Sequence, residues 1–245
     1  MDEIVKLVDV HKSFVGNKVL RGISFSVKRG ETLTIVGKSG AGKTVLLKTI
    51  VGLERVDRGK IFLFGLDSTK LKRRELLKLR ENIGFVFQSS ALFDSMTVFE
   101  NIAYPFLVKD VDFNMVEEKV MYYLDKVGLS TFADSTPSEL SGGMKKRVAI
   151  ARALVTEPKL ILYDEPSAGL DVATGEAISD LIERLNEEKE VTTIIVTHDL
   201  DLARRLSDRV LFLSKGVIAH EFRRDEFETK DFSEIAKIFL NKEVG

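Results

Sequence analysis

Short apolar runs bounded by turn residues predict strands at 4–10, 23–27, 32–36, 61–64 and 83–87. Further runs at 160–163, 192–196 and 210–213 alternate with helical patterns at 174–186 and 200–206. Strand, helix, strand at that spacing is the mark of parallel pairing through crossover helices. From Gln88 to Pro158 the pattern is helical only, with apolar spacing over 115–127 and 144–154 and Gly128 placed as a helix stop. The early strands have hairpin-like spacing and predict an antiparallel lobe. The expected organisation is a single α/β domain. Residues 1–88 and 158–220 form a core with a mainly parallel sheet and an antiparallel β lobe, 89–157 an inserted α-helical subdomain, and 221–245 a C-terminal segment. A short terminal helix is expected there, on Ile235, Ile238, Phe239 and Leu240.

A chain of 245 residues is ample for one full hydrophobic core. Lys plus Arg number 37 against 38 Asp plus Glu, so whole-chain charge gives no case for nucleic acid or an anionic surface. The locally basic run from Lys70 to Arg80, with LKRRELLKLR, reads as a solvated helix face. Cysteine is absent, which excludes disulfides and thiolate metal sites. The start MDEIVKLVDV holds no apolar run long enough for a signal peptide or spanning helix, so work at a membrane is expected to require another chain to cross it.

The strongest chemical signal is Gly37-Lys38-Ser39-Gly40-Ala41-Gly42-Lys43-Thr44, set between the apolar run LTIV and the helical stretch VLLKTIVGL. Glycines let successive N–H groups curl around phosphate oxygens, and the helix start adds a favourable dipole. Lys43 suits the β and γ phosphates, and Thr44 offers a hydroxyl to Mg²⁺. The run Leu160-Ile161-Leu162-Tyr163-Asp164-Glu165 is a buried-type strand ending in two carboxylates. Asp164 suits Mg²⁺ and Glu165 the attacking water, although an Asp-Glu pair at a strand end is equally common as a solvated turn. Leu140-Ser141-Gly142-Gly143-Met144 opens a helix with Ser141 as N-cap; alone it reads equally as a plain cap or an anion-binding start.

The order of phosphate loop, then LSGGM, then LILYDE resembles the ABC-type ATPases, whose family signature is the L-S-G-G element. The likeness runs from about residue 4 to about residue 218. It implies a P-loop NTPase core, ATP and Mg²⁺ as ligands, and ATP hydrolysis coupled to transport. Residue by residue, it implies that Phe14 stacks on adenine, though a lone Phe before a hairpin also reads as core. Gln88 matches the glutamine that senses Mg²⁺ and contacts the membrane partner. His198 matches the switch histidine on the γ-phosphate, where by itself it would read as solvated or structural. Glu165, His198, Gln88 and Lys43 are thus the expected catalytic set, with Thr44, Gln88 and Asp164 on the metal. Gly37, Ser39, Gly40, Ala41, Gly42, Lys43 and Thr44 would hold the nucleotide in one subunit. Ser141, Gly142 and Gly143 would complete the cage in trans, from a second copy arranged head to tail on ATP binding.

Two positions depart from the family pattern. Ala168-Gly169-Leu170-Asp171 lacks the serine common there, which puts part of a subunit-bridging contact in doubt, and Lys38 stands where Pro is frequent. A single short chain, with neither a second ATPase half nor a coiled-coil insertion, resembles transporter subunits rather than ABC ATPases of DNA or ribosomes. The implied partners are integral membrane permease subunits and no nucleic acid, with the chain cytoplasmic and peripheral on the inner face of the cell membrane. Ser89-Ser90-Ala91-Leu92-Phe93 after Gln88 would shape the groove for the permease, or Leu92 and Phe93 are simply core. The segment FQSSALFDSMTVFENIAYPF resembles ATPases of the Mla or MCE lipid transporters. That likeness implies a phospholipid or other lipid cargo, an MCE-type lipid-binding protein and a small regulatory subunit. The alternative is another cargo, an amino acid, peptide or lipoprotein, or a non-transport role.

Overall fold

The computed structural model describes residues 3–107, 112–189 and 191–230. In chain order its elements begin with β1 (Glu3–Phe14), β2 (Asn17–Lys28), β3 (Thr32–Val36), α1 (Lys43–Ile50), β4 (Arg58–Leu63) and β5 (Leu66–Asp67). There follow α2 (Arg73–Arg80), β6 (Ile83–Val86), α3 (Val98–Leu107), α4 (Phe113–Lys126), α5 (Gly142–Leu154) and β7 (Leu160–Asp164). The last are α6 (Val172–Lys189), β8 (Thr192–Thr197), α7 (Leu200–Leu206), β9 (Arg209–Ser214), β10 (Val217–Arg223) and α8 (Arg224–Thr229). The chain forms two compact units, Met1–Arg80 with Glu190–Gly245, and Glu81–Lys189. The helical stretch expected over 89–157 falls inside the second. The expected terminal helix at Ile235 to Leu240 lies outside the described residues.

The first unit carries an antiparallel sheet in the order β2-β1-β4-β5. Ile4, Val5, Leu7 and Val10 of β1 are buried, and the register shifts between Leu7 and Val10. At that bulge Asp9 has φ 49°, and its carbonyl lies where a Cβ on Gly59 would sit. Only glycine lets β4 approach so closely. In the second sheet of this unit β3 lies between β8 and β9, parallel to both, and β10 is antiparallel to β9. All five residues of β3 and all six of β8 are buried, as befits parallel strands covered on both faces. Val36 at the end of β3 joins a cluster with Ala203, Val210, Phe212, Phe222 and Phe227. That cluster anchors the strand end from which the phosphate loop departs.

In the second unit β6 and β7 pair in parallel, from Ile83 opposite Leu160 to Val86 opposite Tyr163. Helix α5 is the hub, packing against α3, α4, α6 and β6. Its approach to β6 requires Gly84, where a Cβ would come within 2.5 Å of the Ala153 carbonyl oxygen. Buried Asn101 on α3 folds the segment before it, accepting from Phe93 N–H and donating to the Phe93, Met96 and Thr97 carbonyls.

The mainly parallel α/β class, the antiparallel lobe and the helical subdomain are as the apolar pattern implies. Elements it leaves unmarked are β5, α3, β10 and α8. In β10 only Phe222 is buried, so no apolar run distinguishes it. Its pairing with β9 sets its conformation, a tertiary effect invisible to a local pattern.

Candidate functional site

In the first unit the buried strand β3 runs into the loop 37–44 and then α1. The Gly37 N–H donates to the Thr197 carbonyl at 3.3 Å, which sets the start of the loop beside the end of β8 and hence beside His198. A Cβ on Gly37 would meet the Leu213 carbonyl oxygen at 2.5 Å. Gly42 is the N-cap of α1 at φ 101°, and a Cβ there would press on Val19 of β2. These two glycines are fixed by close backbone approach and a left-handed conformation as well as by phosphate chemistry. The Lys43 ammonium is buried and donates to the Gly37 carbonyl at 2.7 Å and the Lys38 carbonyl at 3.2 Å. Its charge is thereby folded back onto the carbonyls at the start of the loop. Thr44 sits half-buried on the first turn of α1, while Lys38, Ser39 and Gly40 are exposed and Ala41 is half-buried.

Phe14 closes β1 opposite Asn17 at the hairpin tip, on the same hairpin whose Val19 touches Gly42. Its ring is 43% exposed with the Lys12 ammonium 4.9 Å from its centroid, so the core reading does not describe it. His198 is exposed at the end of β8. The adjoining Asp199 caps α7, accepting from the N–H groups of Asp201 and Leu202 at 3.0 Å.

The acidic strand end belongs to the second unit. Asp164 and Glu165 are both buried, and Glu165 adopts φ 49°, a left-handed conformation costly for a non-glycine residue. Ser141 is the N-cap of α5, its hydroxyl accepting from Met144 N–H at 3.3 Å. Ser141 and Gly142 are exposed, whereas Gly143 is buried, with a Cβ there set to fall 2.5 Å from the Thr174 methyl. Helix packing therefore gives Gly143 a second reason to be glycine. Asp171 caps the start of α6, accepting from Thr174 N–H at 3.0 Å and its hydroxyl at 2.6 Å, and the Thr174 hydroxyl holds its carboxyl below the usual range.

Two residues that sequence reasoning does not single out organise this half. Lys146 on α5 donates to the main-chain carbonyls of Gln88 and Glu165, the latter at 3.4 Å. Burial drives its ammonium below the usual lysine range, while the Asp164 and Glu165 carboxylates oppose that shift. Arg152, one face further along α5, donates to the Ser90 carbonyl at 2.7 Å and the Ala91 carbonyl at 2.8 Å. Ser90 and Ala91 both have positive φ, so Arg152 holds a strained turn after Gln88, whose own side chain is exposed. The only sequence signal for Lys146 is its phase. It falls on the α5 face of Gly143, Ala149 and Ile150, where a charge has no place unless it is paired. Beyond this turn Leu92 is half-buried, and Phe93 is 38% exposed against Tyr104 with ring centroids 4.5 Å apart, so Phe93 is not simply core.

The oxygen donors of Thr44, Gln88 and Asp164 are the hard ligands that Mg²⁺ takes, and the N–H-rich loop with a buried ammonium suits a polyphosphate. Among the described residues no helix is long and apolar enough to cross a membrane.

The family model described as "ABC transporter" matches residues 20–168. The chain is 38% identical over 248 aligned positions to the methionine import ATP-binding protein MetN of Clostridium tetani, covering 99% of this chain and 78% of that protein. It is 39% identical over 236 positions to the glutamine transport ATP-binding protein GlnQ of Geobacillus stearothermophilus, covering 95% of this chain and 96% of the relative. Its fold matches the dimeric post-hydrolysis structure of the ATP-binding cassette MJ0796 bound to ADP and Pi, with a TM-score of 0.83 at 34% identity, covering 90% and 98% of the two chains. The first two of these relatives are named for amino acids. They do not support the lipid cargo drawn from the segment after Gln88, nor the MCE-type lipid-binding protein and small regulatory subunit that go with it. The physical reason is that this segment is a partly exposed turn held by α5. Its likeness to lipid-transporter ATPases therefore lies in the shape of that turn and not in any residue that would touch a cargo.

Proposed function

The chain belongs to the ABC transporter ATPase family, and we propose that it is the ATP-hydrolysing subunit of an importer for an amino acid. The observation that carries this reading is the match to GlnQ, which spans nearly the whole of both chains. The match to MetN supports the same cargo class and the inward direction.

In this reading two copies close head to tail on ATP, beneath permease subunits at the cytoplasmic face of the membrane. Phe14 stacks on adenine, and the N–H groups of 37–44 with the Lys43 ammonium bind the β and γ phosphates. Thr44, Gln88 and Asp164 hold Mg²⁺, which when bound neutralises charge on the phosphate oxygens. Glu165 accepts a hydrogen bond from the attacking water and aims it in line with the γ-phosphate. His198 donates to the γ-phosphate oxygens as charge shifts, and Ser141 to Gly143 of the second copy close the cage. Such chemistry is positioning and electrostatics, with little covalent work for the protein.

The test is copurification of the tagged chain from detergent-solubilised membranes of its source, followed by ATPase assay of the complex. A polytopic permease, with turnover raised by an amino acid supplied with its binding protein, is the expected result. Recovery of bound phospholipid with an MCE-type protein would replace the cargo. Recovery of nucleic acid without a membrane protein would overturn the transport role.

A further inference from the structure

Lys146 is 4% exposed, and its ammonium has been carried to the two places in the second unit where site residues leave their strands. One of its bonds is to the Gln88 carbonyl, 58 positions away in sequence, and another to the Glu165 carbonyl, 19 positions away. Both bonds go to main-chain carbonyls. The residue is three positions beyond Gly143 on the buried face of α5, the helix whose exposed start is Ser141. A buried ammonium is expensive unless every donor is used, so a fold-supporting methionine or leucine would fit this face at lower cost.

We propose that Lys146 is a positioning residue for ATP hydrolysis, a tie that fixes the backbones of Gln88 and Glu165 to α5. Engagement of the α5 start by a second copy is thereby carried to both of them. The proposal rests on the roles assigned above to Gln88, Glu165 and Ser141. Because the tie holds the acidic and glutamine elements and leaves the phosphate loop alone, its loss lowers kcat and spares nucleotide binding. The Glu165 carbonyl accepts from Ala168 N–H at 3.2 Å as well as from Lys146, and the two bonds together hold Glu165 in its left-handed conformation.

The experiment compares Lys146→Met, Lys146→Gln and Glu165→Gln in the full chain, assayed in its membrane complex. Lys146→Met is expected to lower kcat about tenfold or more, with KM for ATP within about twofold. Lys146→Gln keeps a donor amide and is expected to recover part of the loss. Amide hydrogen exchange over 88–91 and 165–168 is expected to quicken in both segments of Lys146→Gln, which keeps the test open if the methionine variant does not fold. Variants that melt earlier yet keep wild-type kcat, or exchange that is unchanged in both segments, would overturn the tie while an inactive Glu165→Gln leaves the site reading standing. Retained turnover in Glu165→Gln would remove the site reading, and the proposal with it.

Discussion

The two candidate regions, one in each compact unit, are built by different means. In the phosphate loop the key cation reaches carbonyls only six and five residues away, Gly37 and Lys38, and the loop closes on itself. In the other half, Lys146 and Arg152 reach carbonyls 58, 19, 61 and 62 positions distant. One half is nearly a local structure, clamped by glycines that admit neighbouring backbone. The other is an assembly of three segments that owes its shape to a helix between them. Local construction tolerates little change within the loop, and non-local construction makes residues far from the phosphates matter.

The largest expected effect is on the local half. Lys43→Ala removes the ammonium proposed to face the phosphates and should lower kcat/KM for ATP by about a hundredfold or more, checked by phosphate release and by nucleotide binding. If binding survives and only kcat falls, the division between a binding half and a positioning half is wrong. Next is Arg152→Met, which leaves the Ser90 and Ala91 carbonyls without their donor. It should cost about 2–3 kcal/mol in urea unfolding while ATP affinity is kept. Gly37→Ala forces a methyl against the Leu213 carbonyl and should cost about 2 kcal/mol, with nucleotide binding weakened in the same variant. The smallest effect is expected at Tyr163, whose hydroxyl is fully buried on β7 with no hydrogen-bond partner among the described residues. Burial pushes that phenol up, so it stays neutral through the working range. Tyr163→Phe should be neutral or stabilise by about 1 kcal/mol, read from thermal unfolding, and should leave turnover unchanged.

What could be read beforehand follows the same division. The loop 37–44 declares itself because its glycines, lysine and threonine are contiguous and flanked by strand and helix. Asp164 and Glu165 are visible as the end of an apolar run. Gln88 and His198 gain meaning only through family likeness, being single polar residues at strand ends. Lys146 and Arg152 escape because their partners are main-chain atoms, which leave no residue-type signature. Strand β10 escapes for a related reason, since pairing with β9 holds it and buries only Phe222. The segment after Gln88 misleads on cargo because its turn is set by Arg152, a structural contact that carries no information about what is transported.

The central claim is that this chain closes on ATP as a dimer and that Glu165 is needed to reopen it. The most direct measurement is the mass of Glu165→Gln by light scattering with Mg²⁺ and ATP, with released phosphate followed in the same sample. The account predicts a stable dimer that releases no phosphate, beside a wild-type chain that turns over. A monomer under ATP that still binds nucleotide, or a Glu165→Gln variant that releases phosphate at the wild-type rate, would contradict it.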